Sequence, residues 1–130
     1  MIGIDTNILV RYFAQDDPVQ SPQATQIIEC LTEDQPGFVS LVTIAEMVWV
    51  LDRTYGMSDQ EIAGTVERML QADTLLVQNE QEVFTAVTAL KTSTGSFSDA
   101  LIAALGTWAG CSSTFTFDRK ATQLTNFELP

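Results

Sequence analysis

The strongest constraint on the fold is an alternation of two periods. Short runs of four to seven residues, mostly apolar or β-branched, are separated by longer stretches with helical spacing and read as strands. The apolar start Met1 to Ile4, "FVSL" at Phe38 to Leu41, "TLLVQ" at Thr74 to Gln78 and "CSSTFTF" at Cys111 to Phe117 read as four strands, and "NFELP" holds a fifth at an edge. Helices are predicted over Thr6 to Phe13, Pro18 to Leu31, Val42 to Arg53, from Ser58 to about Gln71, Glu80 to Thr92 and Asp99 to Trp108. "SDQE" (Ser58 to Glu61) has the form of a capping box, and Gly56 suits the end of the helix before it. Strands alternating with helices predict an α/β class: a three-layer α/β/α sandwich around a mostly parallel, four- to five-stranded sheet.

The length of 130 residues suffices for one domain spanning 1–130. No basic segment precedes an apolar core at the N-terminus, and the longest apolar run, Leu41 to Leu51, is too short for a bilayer and contains Glu46. A cytoplasmic protein with no membrane partner is expected. There is no histidine, and Cys30 and Cys111 lack any CxxC spacing, which removes zinc sites and Ser-His or Cys-His nucleophiles. Two buried free thiols are expected. A net charge of −11 opposes non-specific attraction to nucleic acid, so a phosphate-bearing substrate would need a local counter-charge.

In a parallel sheet covered by helices, ligands gather at the carboxyl ends of the strands, and four acids fall at that edge. Asp5 ends the first strand, Glu46 follows the second, Asp99 opens the helix that returns the chain to the fourth, and Asp118 closes the fourth. Each has an ordinary structural use. Asp5 can cap a helix, Glu46 can sit on one exposed stripe or pair with Arg53 or Arg11, Asp99 can be a third helical residue behind a Ser96 cap, and Asp118 can shape a turn. Together they form a pattern that calls for cations, because like charges about 4 Å apart repel by roughly 4 kcal/mol at an effective dielectric of 20. All-oxygen ligands suit Mg²⁺ or Mn²⁺, and the chemistry that follows is phosphoryl transfer to water.

The same residues resemble the PIN-domain ribonucleases, and among them the VapC-type toxins of bacterial toxin–antitoxin pairs. "MIGIDTNILVRYF" is similar to the opening motif with Asp5, "VTIAEMVWVLDRTYG" to the second with Glu46, "FSDALIAAL" to the third with Asp99, and "TFTFDRKA" to the fourth with Asp118. The resemblance implies an Mg²⁺- or Mn²⁺-dependent endoribonuclease acting on structured RNA such as tRNA or rRNA, working as a homodimer and restrained by a small antitoxin. It also implies that Asn7 orients Asp5 by hydrogen bonding and that Thr116 does similar work beside Asp118. Where many members carry a further acid before the third motif's Asp, this chain has serines in "GSFSD", which leaves one or two metals open. Arg11, Arg119 and Lys120 are candidate RNA contacts. Two other classes remain: a non-catalytic module whose acids receive a partner's arginine, and an aspartate-based phosphatase, which would need an acid where Asn7 stands.

Overall fold

The computed structural model describes residues 1–130. The chain divides into two compact units, Met1–Gln78 and Asn79–Pro130.

In the first unit, strand β1 (Ile2–Gly3) leads into helix α1 (Thr6–Ala14), followed by α2 (Gln20–Glu29), β2 (Gly37–Val39), α3 (Leu41–Arg53), α4 (Asp59–Gln71) and β3 (Leu75–Val77). The strands form one parallel ladder in the order β1-β2-β3, with Ile2 opposite Gly37 and Gly37 opposite Leu75. The helices follow from local chemistry. Gln15 closes α1 in the left-handed conformation (φ 51°), donating its N–H to the Arg11 carbonyl. In the "QDDP" turn the Asp17 carboxylate accepts from the N–H groups of Val19 (2.9 Å) and Gln20 (2.7 Å), and this moves the start of α2 past Pro18. Ser40 caps α3 by accepting from Thr43 N–H, and Gly56 (φ 61°) turns the chain beyond its end. The capping box expected at Ser58 and Glu61 is present in full.

Apolar residues at helical spacing are buried: Leu9 on α1, Ile44, Met47 and Leu51 on α3, and Ile62, Val66 and Met69 on α4. α2 is less apolar than its sequence suggests, since Ala24 is buried but Ile27 is exposed. Gly37 is fixed by space rather than by backbone angle. A Cβ there would come within 2.9 Å of both Ile4 Cγ1 and Leu31 Cδ1.

The second unit contains α5 (Glu80–Lys91), α6 (Phe97–Trp108), β4 (Thr114–Phe115), a 3₁₀ turn (Ala121–Gln123) and β5 (Phe127–Glu128). α5 packs against α6, and Ala103, Ala121 and Phe127 form a small buried cluster with Leu124 against it. The α/β class with a parallel sheet is as expected, but the five strands are hydrogen-bonded as a three-stranded and a two-stranded ladder. β4 has its own partner: Thr114 and Thr116 donate their N–H groups to the carbonyls of Asn126 (2.7 Å) and Glu128 (2.9 Å). β4 is also shorter than Cys111 to Phe117. Gly110 (φ 98°) turns the chain, and Cys111 N–H returns to the Gly106 carbonyl, so extended backbone begins later. No helix is long and apolar enough to cross a membrane. Both cysteines are free, as expected, but exposed rather than buried. Cys30 caps the end of α2 and Cys111 lies in the turn after Gly110, places where a chain surfaces whatever the residue's apolar character.

Candidate active site

β1 delivers Asp5 to the N-cap position of α1. The preceding residue, Ile4, still donates to the Phe38 carbonyl (2.9 Å), so Asp5 stands where the ladder ends and the helix starts. Its backbone serves the helix, the carbonyl accepting from Ile8 (3.1 Å) and Leu9 (3.4 Å), but its side chain makes no capping bond. The ordinary explanation for an aspartate here therefore accounts for the backbone position and not for the carboxylate, which is exposed and has no hydrogen-bond partner. Asn7 is exposed as well and makes no bond to Asp5.

The residue between them does the ordering. Thr6 is 7% exposed, and its Oγ1 donates to Glu46 Oε1 at 2.5 Å. This bond ties the first helical residue after β1 to the middle of α3. Glu46 lies on an exposed stripe with Val42, Trp49 and Arg53, opposite the buried Ile44, Met47 and Leu51. It pairs with neither arginine considered from the sequence. Arg53 lies 3.7 Å from Asp52 and over the Trp49 ring, whereas Arg11 is bonded to Asp16 (3.2 Å), Tyr55 (3.2 Å) and Gln20 (2.9 Å). In that cluster the Tyr55 hydroxyl donates to Asp16 at 2.7 Å. This bond, more than the Arg11 charge, holds the Asp16 carboxyl below its ordinary range and pushes the Tyr55 phenol up.

Asp5 and Glu46 offer only oxygen donors, with the Asp5 carboxylate and Glu46 Oε2 free of protein partners. That chemistry fits a hard divalent cation. Mg²⁺ in particular keeps several waters and is commonly held by one or two carboxylates plus substrate phosphates. No group of three or more acidic, histidine or cysteine side chains is gathered as a ready-made metal cage.

In the second unit, Asp99 is the third residue of α6, and its N–H donates to the Ser96 cap (3.1 Å), while its half-buried carboxylate makes no return bond. Asp118 shapes a turn, its Oδ1 accepting from Lys120 N–H (2.9 Å) and its carbonyl from Ala121 N–H (3.1 Å). Thr116 Oγ1 accepts from Asp118 N–H at 3.0 Å, fixing the backbone that carries the acid. Arg119 and Lys120 are exposed, and neither side chain has a partner.

Thr6 is the residue that sequence reasoning missed. Its only signal was a hydroxyl wedged between two polar residues where an apolar strand stops, and its partner is forty positions away. No curated protein matches the chain. The family model for the PIN domain, however, matches residues 2–126. With a parallel α/β fold and an uncommitted aspartate at the end of its first strand, the chain belongs to the PIN-domain family, whose members are generally nucleases.

Proposed function

We propose that the protein is an Mg²⁺- or Mn²⁺-dependent endoribonuclease that cleaves structured RNA of the tRNA or rRNA kind, and that it is the toxin of a toxin–antitoxin pair. In this reading it acts in the cytoplasm as a homodimer held in check by an antitoxin protein. The observation that carries the enzymatic part is the Asp5 carboxylate, which occupies a cap position without capping. In a nuclease family, a side chain withheld from its usual structural bond is available for chemistry.

In the first unit Asp5 and Glu46 are the ligands in this reading, and in the second unit Asp99 and Asp118 are candidate ligands by their motifs. A divalent cation lowers the pKa of a water and stabilises charge on the phosphoryl oxygens when it is bound. The chain's own residues bind and orient. Thr6 holds one oxygen of Glu46 and leaves the other free, Thr116 fixes the turn that carries Asp118, and Arg119 and Lys120 neutralise phosphate on an otherwise acidic protein.

Asp5→Asn and Asp99→Asn remove charge with little change of shape. Both variants are expected to lose RNA cleavage and growth arrest while keeping the parent's thermal midpoint in the absence of metal; cleavage at the parent's rate would overturn the assignment. Calorimetric titration with Mn²⁺ separates an enzyme from a non-catalytic module, for which no saturable binding is expected.

A further inference from the structure

The second unit carries a groove that the proposed metal site does not use. Its volume is about 480 Å³, within the range of small-molecule sites, and every residue lining it lies in that unit. One wall is a face of α5, with Glu82, Thr85, Thr88 and Thr92 at helical spacing. The other is a face of α6, with Ala100, Ala103, Ala104 and Trp108. The space stays open because the residues along α6 are small. Ala100 and Ala103 are buried, and alanine has nothing beyond its Cβ to fill the gap above them.

The polar atoms of the α5 wall have one character. The hydroxyls of Thr85, Thr88 and Thr92 donate to the carbonyls of Gln81, Phe84 and Thr88, each at 3.1 Å, and Thr94 donates to Ala89 (3.2 Å). With those protons committed to the main chain, what remains for a ligand is oxygen lone pairs and methyl groups. Glu82 adds a carboxylate whose Oε1 accepts from Asn79 Nδ2 (2.9 Å) and whose Oε2 has no protein partner. No lysine or arginine lines the groove, and Trp108, 67% exposed, brings an indole ring to it. From Glu82 to Thr92 a helix rises about 15 Å at roughly 1.5 Å per residue. That length suits an extended chain better than a compact ion.

We propose that this groove binds a linear aliphatic polyamine, with its methylenes on the alanines and its ammonium groups at the Glu82 carboxylate, the threonine oxygens and the Trp108 ring. The argument is charge complementarity. Ammonium groups bring donors and positive charge to a wall of acceptors, and indole faces attract cations. An anion would be repelled by Glu82, and a neutral chain would leave the carboxylate without a counter-charge. A bound polyamine also offsets part of the net charge of −11. The site stands independently of the nuclease reading.

The test is calorimetric titration of the full chain, free of divalent metal, with spermidine as the probe. Saturable binding is expected. Glu82→Gln and Trp108→Ala should each weaken it by about two- to fivefold, the range of an exposed ion pair or cation–π contact, and Ala104→Leu, which fills the groove, should abolish it. Asp34→Asn removes an exposed acid of the first unit and should change nothing. In a Trp49→Phe background Trp108 is the one tryptophan left, and its fluorescence should shift as spermidine binds. Octanediol has the stem without the charge and hexaamminecobalt has charge without the stem, so both are expected to bind more weakly. Thermal midpoints without ligand are measured for every variant, and Thr88→Val, which keeps the shape and removes an acceptor, replaces any that unfolds. Hexaamminecobalt binding as tightly as spermidine would reduce the effect to net charge, and equal binding of octanediol would reduce it to an apolar slot. Either result, or unchanged affinity in both Glu82→Gln and Trp108→Ala, would overturn the proposal.

Discussion

Replacing Thr6 with valine is the most informative single change, because it removes one hydroxyl and keeps the branched shape. The hydroxyl donates to a carboxylate, a class of bond worth roughly 1.5–3 kcal/mol when both groups are shielded. Here the donor is buried but Glu46 is exposed, so water replaces the lost bond at the carboxylate. The net loss should fall to about 1 kcal/mol. For a chain of this length that corresponds to a fall of roughly 3–5 °C in the thermal midpoint. The bond also sets the orientation of a proposed ligand, and losing such a partner commonly weakens metal binding by roughly 10–100-fold. The assays are a thermal scan without metal, Mn²⁺ calorimetry, and a double-mutant cycle with Glu46→Ala. A coupling energy near zero in the cycle, with Mn²⁺ affinity unchanged, would refute the claim that Thr6 holds Glu46 in place.

Three further outcomes are expected. Ser58→Ala removes the cap of α4 and should cost about 1 kcal/mol in denaturant unfolding. Backbone and side-chain bonds from Ser58 depress Glu61, and a depressed carboxyl contributes stability above its ordinary range that is lost as pH falls through the lower folded value. The Ser58→Ala variant should therefore lose less stability than the parent on acidification below about pH 4.5. Tyr55→Phe should raise the Asp16 titration seen by NMR toward the ordinary aspartate value, since the phenol is the main cause of its depression, while Arg11 keeps part of the effect. An unmoved titration would refute that attribution. Millimolar Mg²⁺ or Mn²⁺ should raise the parent's thermal midpoint by mass action and do so less in Asp5→Asn; equal shifts in both proteins would remove Asp5 from the ligand set.

Local signals carried much of the fold into the sequence. The Ser58 box and the Gly56 turn act within a few residues, and both appear where the sequence places them. Boundaries drifted where two local signals competed. α6 begins at Phe97 and not at Asp99, because Ser96 supplies the cap and Asp99 takes the third position. β4 lost length to the turn at Gly110. The candidate site was legible as positions but not as bonds. Asp5 is at the N-cap, yet nothing in its neighbours tells that its carboxylate stands apart from the helix. Glu46, flanked by apolar residues in sequence, is exposed because one stripe of α3 carries Val42, Glu46, Trp49 and Arg53. The Thr6 bond to Glu46 joins residues too distant in sequence for any spacing rule, and so only three dimensions reveal it.

The exposure of Cys30 and Cys111 bears on how the proposed homodimer must be recognised. A thiol at the surface can be oxidised by air to a bridge with another molecule, whose geometry the fold does not restrict. Such a species would have twice the mass and no packed interface. Cys30→Ser with Cys111→Ser leaves noncovalent association intact and removes the bridge. A dimer that survives both the double substitution and added reductant is held by complementary surfaces, whereas one that disappears with either was made by sulfur.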